Sequence, residues 1–204
     1  MLDALLIGSL AGILHVVAGP DHLAAIAPLA SRRSGAWIRG FVWGVGHTSG
    51  VWAVGCVALL MQGLLPLQLV SSLGERLAAG ALILVGLRTL VHWARRDEAA
   101  SALRPPTTRV DVQLASGFGI LHGLGGSSHY LGILPALGFS DPISACLYLA
   151  AFGCSTIGAM TACAFVMGLL SRPAGTRAWL APIAGCVAIV VGVLWLAGPP
   201  ARGG

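Results

Sequence analysis

The apolar run that opens the chain is interrupted by His15-Val-Val-Ala-Gly-Pro-Asp21-His22, and a variant of that string returns 107 residues later as His122-Gly-Leu-Gly-Gly-Ser-Ser-His129. One ungapped register aligns Gly12-Ile13-Leu14-His15 with Gly119-Ile120-Leu121-His122, Gly19 with Gly126, His22 with His129, Ile26 with Ile133 and Pro28 with Pro135. The same register sets Gly46-His47-Thr48 beside Gly153-Cys154-Ser155. The fold must therefore accommodate two related halves, each carrying three potential metal ligands.

Composition fixes the medium. With 204 residues, 56% hydrophobic and 9% charged, and a mean hydropathy of +0.87, the chain has too little polar residue to cover a soluble globule. Apolar runs long enough for a hydrocarbon core of about 30 Å fall at 2–30, 37–61, 73–94, 113–137, 143–169 and 178–197. These predict six transmembrane helices. The first run opens on Asp3 and lacks a basic n-region and a cleavage site, so it is expected to stay in the mature chain.

The 12 basic residues are all arginine, and their positions predict orientation. Arg32, Arg33 and Arg39 follow the first run, Arg95, Arg96, Arg104 and Arg109 the third, and Arg172 and Arg177 the fifth, against Arg76 and Arg202 on the other side. Positive charge accumulates on cytoplasmic loops, so both termini are expected outside the cytoplasm of a bacterial inner membrane. The net charge of +5 then reflects topology and contact with the lipid bilayer. No basic face interleaved with aromatics exists, which excludes nucleic acid as a partner.

Local signals place the boundaries. Ser72-x-x-Glu75 reads as a capping box before the third run, and Asp141-Pro142 as an N-cap followed by proline at the first helical position before the fifth. The charged, Pro105-Pro106-containing stretch 95–112 reads as a cytoplasmic linker between a first repeat, 1–94, and a second, 113–204. Three spans per repeat make the second run opposite to the first. That is an all-α membrane protein built as two inverted three-helix repeats, a plan shared by many secondary transporters.

Depth brings the polar residues together. At about 1.5 Å per residue, His15 lies roughly 20 Å along the first run and His47 roughly 15 Å along the second, near one plane. His122 and Cys154 reach similar depths by the repeat. His15 and His22 would stand about 10 Å apart on an unbroken helix, too far for one ion, but Gly19-Pro20 removes a backbone donor and forces a break. In the second repeat Gly125 and Gly126 offer an equivalent break without proline.

Ionisable groups inside spans are costly and mark pathways. His15, Asp21, His22, His47, His122, His129 and Cys154 are accordingly the candidate metal ligands, with Asp21 the one carboxylate deep in a span. Each has an ordinary structural reading as well: a histidine can be a packing hydrogen-bonder, Ser128 and His129 a polar pair, and Cys154 a small apolar residue. Trp37, His92, Trp93 and Trp179 read as interfacial and Arg88 as snorkelling. Cys56, Cys146, Cys154, Cys163 and Cys186 contain no C-x-x-C pair and no disulfide framework. A chain without lysine has no Walker motif, so it carries no ATPase of its own.

His15-x5-Asp21-His22 followed by Leu-Ala-Ala-Ile, with Gly46-His47-Thr48-Ser49 on the next helix, resembles the signature of small nickel/cobalt permeases of the HupE/UreJ type and of UreH-like transmembrane domains. With one residue more between His and Asp, it is also similar to the motif of the NiCoT nickel/cobalt transporters. Valine rather than proline follows His15, and the second half has no histidine-rich segment. The resemblance implies that His15, Asp21, His22 and His47 contact a transported Ni2+ or Co2+, with no permanently bound cofactor and no enzymatic turnover. Imidazoles with a single carboxylate suit such borderline ions better than Mg2+ or Ca2+. A TauE/SafE-like anion exporter and a membrane-embedded histidine-ligated metalloenzyme are the alternatives, and a homo-oligomer or a separate energising partner stays open.

Overall fold

The computed structural model describes residues 1–30, 35–60, 67–95, 109–125 and 132–198, and among them the chain is helical with no strand. The helices are α1 (Leu2–Ala18), α2 (Pro20–Ala30), α3 (Ala36–Leu60), α4 (Leu67–Ala94), α5 (Arg109–Leu124), α6 (Pro142–Leu170) and α7 (Ala174–Ala197), with a short 3-10 helix at Leu134–Gly138. Three of them, within Glu75–Ala94, Pro142–Leu170 and Ala178–Ala197, are long and apolar enough to cross a membrane. Counting α1 and α2 as one bent span makes four among the described residues. The helices of the other two runs are α3, which carries Arg39, His47, Thr48 and Ser49, and α5, whose 16 residues end just before a bend at Gly125.

The first run breaks where the sequence places the break. α1 ends at Ala18, Gly19 is extended at φ −84° and ψ 101°, and α2 restarts at Pro20 with the axis turned by 70°. Pro20 has no N–H to return to Val16, so the ladder cannot continue. The new helix is closed instead by the N–H groups of His22 and Leu23, both donating to the Gly19 carbonyl at 3.1 and 3.3 Å.

Other boundaries divide between agreement and correction. Asp141 caps α6, its carboxylate accepting from the N–H groups of Ile143 and Ser144 at 3.2 and 2.9 Å. Those bonds, chiefly the one from Ser144, hold its carboxyl below the ordinary carboxylate value. The proposed capping box fails: α4 starts at Leu67, so Ser72 and Glu75 lie inside the helix. The upstream residues Leu67, Leu69 and Val70 continue the apolar run, and a helix does not stop for a capping residue within it. At the other end of the linker Arg109 and Asp111 belong to the first turn of α5.

The surface inverts the soluble pattern. Leu6, Leu10, Leu14, Leu84, Ile183 and Leu194 face outward, whereas the interior is built from Ala24, Ala25, Ala30, Ala115, Ala164 and Ala188 around Trp43, Leu82 and Met160. Lipid tails are as apolar as leucine, so large side chains gain nothing by turning inward and close backbone packing decides the interior. On α1 the buried residues are Ala4, Gly8, Gly12 and Val16, one per turn, and Gly8 and Gly12 lie against Tyr148, Phe152 and Thr156 of α6.

The tightest crossing joins α3 and α5 through two facing glycine pairs. A Cβ at Gly46 would come within 2.6 Å of the Ser116 carbonyl oxygen and one at Gly50 within 2.6 Å of that of Ile120. Reciprocally, Gly119 and Gly123 abut the carbonyls of Trp43 and His47. Both pairs have the G-x-x-x-G spacing. The rising order of these contacts means that α3 and α5 run in the same direction, and by the same reading α1 runs with α6. Gly40 lies on Met160 and Ala164 while Gly153 lies on Thr48 and Trp52, so α3 and α6 run oppositely. α4 and α7 also run oppositely, through Gly86 on Gly185 and Gly192 on Ala79.

Arg39 departs from its expected place. Counted as a loop charge, it lies in the first turn of α3, 1% exposed, with Nε donating to the Leu29 carbonyl at 2.7 Å. That carbonyl belongs to the last turn of α2, where a cation offsets both an orphan acceptor and the negative end of the helix dipole.

Replacing Gly123 by leucine should prevent the α3–α5 crossing and eliminate monodisperse folded protein in size-exclusion chromatography. Gly117→Ala, where an added Cβ meets nothing within 4 Å, should keep wild-type yield. Equal yields from the two would show that the glycine contact does not set the packing.

Candidate metal centre

Each polar residue of the centre is delivered by a separate backbone event. His15 lies in the last turn of α1, the break turns the chain, and Asp21 and His22 open α2. The N-terminal position suits Asp21 because the first-turn N–H groups and the helix dipole favour an anion there. His47 and His122 come from α3 and α5 at the glycine crossing: His47 follows Gly46, and His122 lies between Gly119 and Gly123. The small residues that let the backbones touch thus also bring two imidazoles together.

Within the centre the ring centroids of His15 and His22 are 4.5 Å apart, those of His22 and His47 5.0 Å, His22 and His122 5.0 Å, and His47 and His122 5.5 Å. His15 Nε2 stands 3.4 Å from His47 Nε2. Asp21 bridges two rings, with Oδ1 3.2 Å from His22 Nδ1 and Oδ2 3.0 Å from His122 Nε2. His22, His47 and His122 are at most 1% exposed and Asp21 6%. Two groups have ligand atoms within 4.8 Å of one another: His15, His22 and His47, and Asp21, His22 and His122. Such a concentration of imidazole and carboxylate has the donor atoms to hold a divalent transition metal.

Of the seven ligand candidates the structure brings five together. Cys154 is not among them: it is exposed on α6, while the adjacent Gly153 turns inward onto Thr48 and Trp52. Position along a helix does not fix the face a residue presents, and at this crossing only a glycine fits against the Trp52 ring. His129, with Ser128 and Gly126, lies outside the described residues.

The walls were not legible in the sequence. Trp43 stacks on His47 at 5.4 Å and 8°, Trp195 of α7 stacks on His122 at 5.6 Å and 12°, and Phe152 of α6 lies 5.6 Å from His15. Trp43 precedes His47 by one helical turn, so an i,i+4 pairing signal existed. Nothing local ties Trp195 or Phe152 to histidines in other helices. Trp37, Trp93 and Trp179 are exposed, as an interfacial role requires, and Trp93 Nε1 donates to the Ala178 carbonyl at 3.0 Å.

Neither a protein-family model nor a solved structure matches the chain. It is 30% identical over 169 residues to the chloroplast protein FOR GROWTH AND FERTILITY 1 of Arabidopsis thaliana, covering 75% of this chain and 46% of that one. A second Arabidopsis thaliana chloroplast protein, FOR GROWTH AND FERTILITY 2, is 30% identical over 176 residues, covering 81% and 47%. The chain thus spans about half the length of these relatives. Urease accessory protein UreH of Bacillus sp. (strain TB-90) is 25% identical over 180 residues, covering 83% of this chain and 78% of that protein.

Substituting leucine for Asp21 should leave His22 and His122 without their shared acceptor and destabilise the fold by about 1–3 kcal/mol, the cost of an unsatisfied buried polar group. Cys154→Ala should stay within about 0.5 kcal/mol, as surface substitutions do. Thermal unfolding of the two variants in detergent compares them directly. A larger loss at Cys154 would contradict the bridging role of Asp21.

Proposed function

We propose that the chain is a membrane permease that carries a divalent transition-metal ion, Ni2+ foremost and Co2+ second, through its buried histidine and aspartate cluster. The observation that carries the reading is the meeting of four imidazoles and one carboxylate inside a helical protein whose outer surface is apolar. The nickel/cobalt permease signature in residues 12–50 and the similarity to a urease accessory protein over most of both chains agree with it.

The architecture that goes with this function is six spans in two inverted repeats. Support comes from helix directions. The 107-residue register relates α1 to α5 and α3 to α6; α1 runs with α6, α5 runs with α3, and α3 opposes α6, so each related pair points opposite ways. Two further features support transport rather than catalysis: the helix breaks in apolar surroundings, and it does so beside the cluster. Irregular backbone at membrane depth occurs where it lines a site or a pathway. With no nucleotide-binding motif, flux would draw on a gradient, the membrane potential, trapping inside the cell or a separate energising partner.

Reconstituted into proteoliposomes and offered Ni2+, Co2+, Zn2+ and Mg2+, the protein should move Ni2+ or Co2+ fastest and Mg2+ least. Asp21→Ala and His47→Ala should each lower the flux by ~100-fold or more, above the 10–100-fold typical of losing an outer-shell partner, while Cys154→Ala should keep wild-type flux. Near-normal flux in both Asp21→Ala and His47→Ala would remove the site from the pathway. Flux of an anion in place of the metals would favour the exporter.

Orientation has its own check in a bacterial inner membrane. Reporter fusions after Gly35, near Pro105 and near Ala174 should report cytoplasm, and a fusion at the C-terminus should report the outside. A cytoplasmic C-terminus would overturn both the six-span count and the inverted repeat.

A further inference from the structure

The ligand atoms of the cluster do not form one five-membered set. They divide into an all-nitrogen triad, His15, His22 and His47, and a mixed triad, Asp21, His22 and His122, and His22 alone belongs to both. A tetrahedral ion bound at about 2.0–2.1 Å needs neighbouring ligand atoms roughly 3.3 Å apart. His15 Nε2 and His47 Nε2, at 3.4 Å, meet that spacing, and Asp21 Oδ2 and His122 Nε2, at 3.0 Å, come close to it. His15 and His122 share no group, so a single ion cannot take both.

Resting on the transport reading above, we propose that the centre holds two overlapping metal positions joined by His22, which passes one ion from the all-nitrogen triad to the mixed triad. The chemistry of the two positions differs in a direction that promotes the passage. Three neutral imidazoles give a dipositive ion no charge compensation, whereas Asp21 supplies a carboxylate at the next position. Because His22 is common to both, the ion passes between positions that share a ligand residue and is not released into low-dielectric surroundings, where an uncompensated charge is most costly. With Asp21 the one carboxylate of the two triads, two dipositive ions held side by side would be left uncompensated, so one chain holds one ion. Asp21 pairs with both His122 and His22, so an ion entering the mixed triad replaces those two contacts with metal bonds and needs no new acceptor from elsewhere.

Cobalt reports both stoichiometry and ligand type. Purified full-length protein in detergent is titrated with Co2+ by equilibrium dialysis and its visible absorption spectrum recorded, for the wild type, His15→Ala, His122→Ala and His22→Gln, each first shown to be monodisperse. The expected result is one Co2+ per wild-type chain, and one retained by both His15→Ala and His122→Ala but with different spectra, mixed nitrogen and oxygen in the first and all-nitrogen in the second. His22→Gln, which disables both triads, should lose affinity by ~100-fold or more, beyond the 10–100-fold of an outer-shell change. In proteoliposomes both single-triad variants should bind Co2+ yet fail to carry it.

Two Co2+ per wild-type chain would mean independent positions and overturn the relay. Identical spectra in His15→Ala and His122→Ala, or loss of binding in both to the level of His22→Gln, would mean one undivided site and overturn it equally, while leaving metal transport intact. Absence of Co2+ and Ni2+ binding in the wild type would instead bring down the transport reading, and the relay with it.

Discussion

A carboxylate placed inside apolar surroundings is the constraint around which the structure is arranged. Burying a charge without compensation costs many kcal/mol, and the remedy is direct hydrogen bonding or pairing. Asp21 obtains this from three directions: the N-terminal turn of α2, His22 beside it, and His122 from the other half of the chain. None of the three exists without a larger feature. The helix N-terminus exists because Pro20 breaks the first run, and His122 arrives because α5 lies flush against α3.

That flush packing is a matter of glycine. Facing G-x-x-x-G pairs, Gly46 with Gly50 and Gly119 with Gly123, remove side chains from the crossing so that backbone meets backbone. A lipid-embedded protein has little hydrophobic drive to press helices together, so dispersion over such contacts supplies much of the association. The polar centre and the crossing are therefore one construction. His47 and His122 lie within or beside the glycine pairs, and widening the crossing would separate the rings that Asp21 and His22 link.

Aromatic walls complete the enclosure. Trp43 and Trp195 lie flat on His47 and His122, and Phe152 closes on His15. A flat neighbour hinders rotation of each imidazole about its Cβ–Cγ bond and covers one of its faces. It also leaves the ring edges, where the nitrogens are, as the accessible chemistry. Arg39 secures the neighbouring element by holding the C-terminal turn of α2 against the start of α3, so the short helix that presents Asp21 and His22 is fixed at both ends.

The sequence by itself determined the apolar character of the chain, the helical class, the position of the break and the residues of the polar centre. Each of these is a local or compositional property: too few polar residues for a soluble surface, proline unable to donate to Val16, and ionisable residues too costly in a span to be incidental. The 107-residue register also singled out His122 as the counterpart of His15. What only the tertiary structure decided was the face each residue presents and its partners across helices. Cys154 passed every linear test of depth and register yet turns outward, because Gly153 occupies the crossing. Arg39, counted as a loop charge, is buried because α3 begins before it, and Ser72 and Glu75 lost their capping role because α4 begins before them. Trp195 stacks on a histidine 73 residues earlier in the chain. A period or a spacing fixes where a residue stands along its own helix, whereas facing and partnership follow from how backbones pack, and that depends on every helix at once.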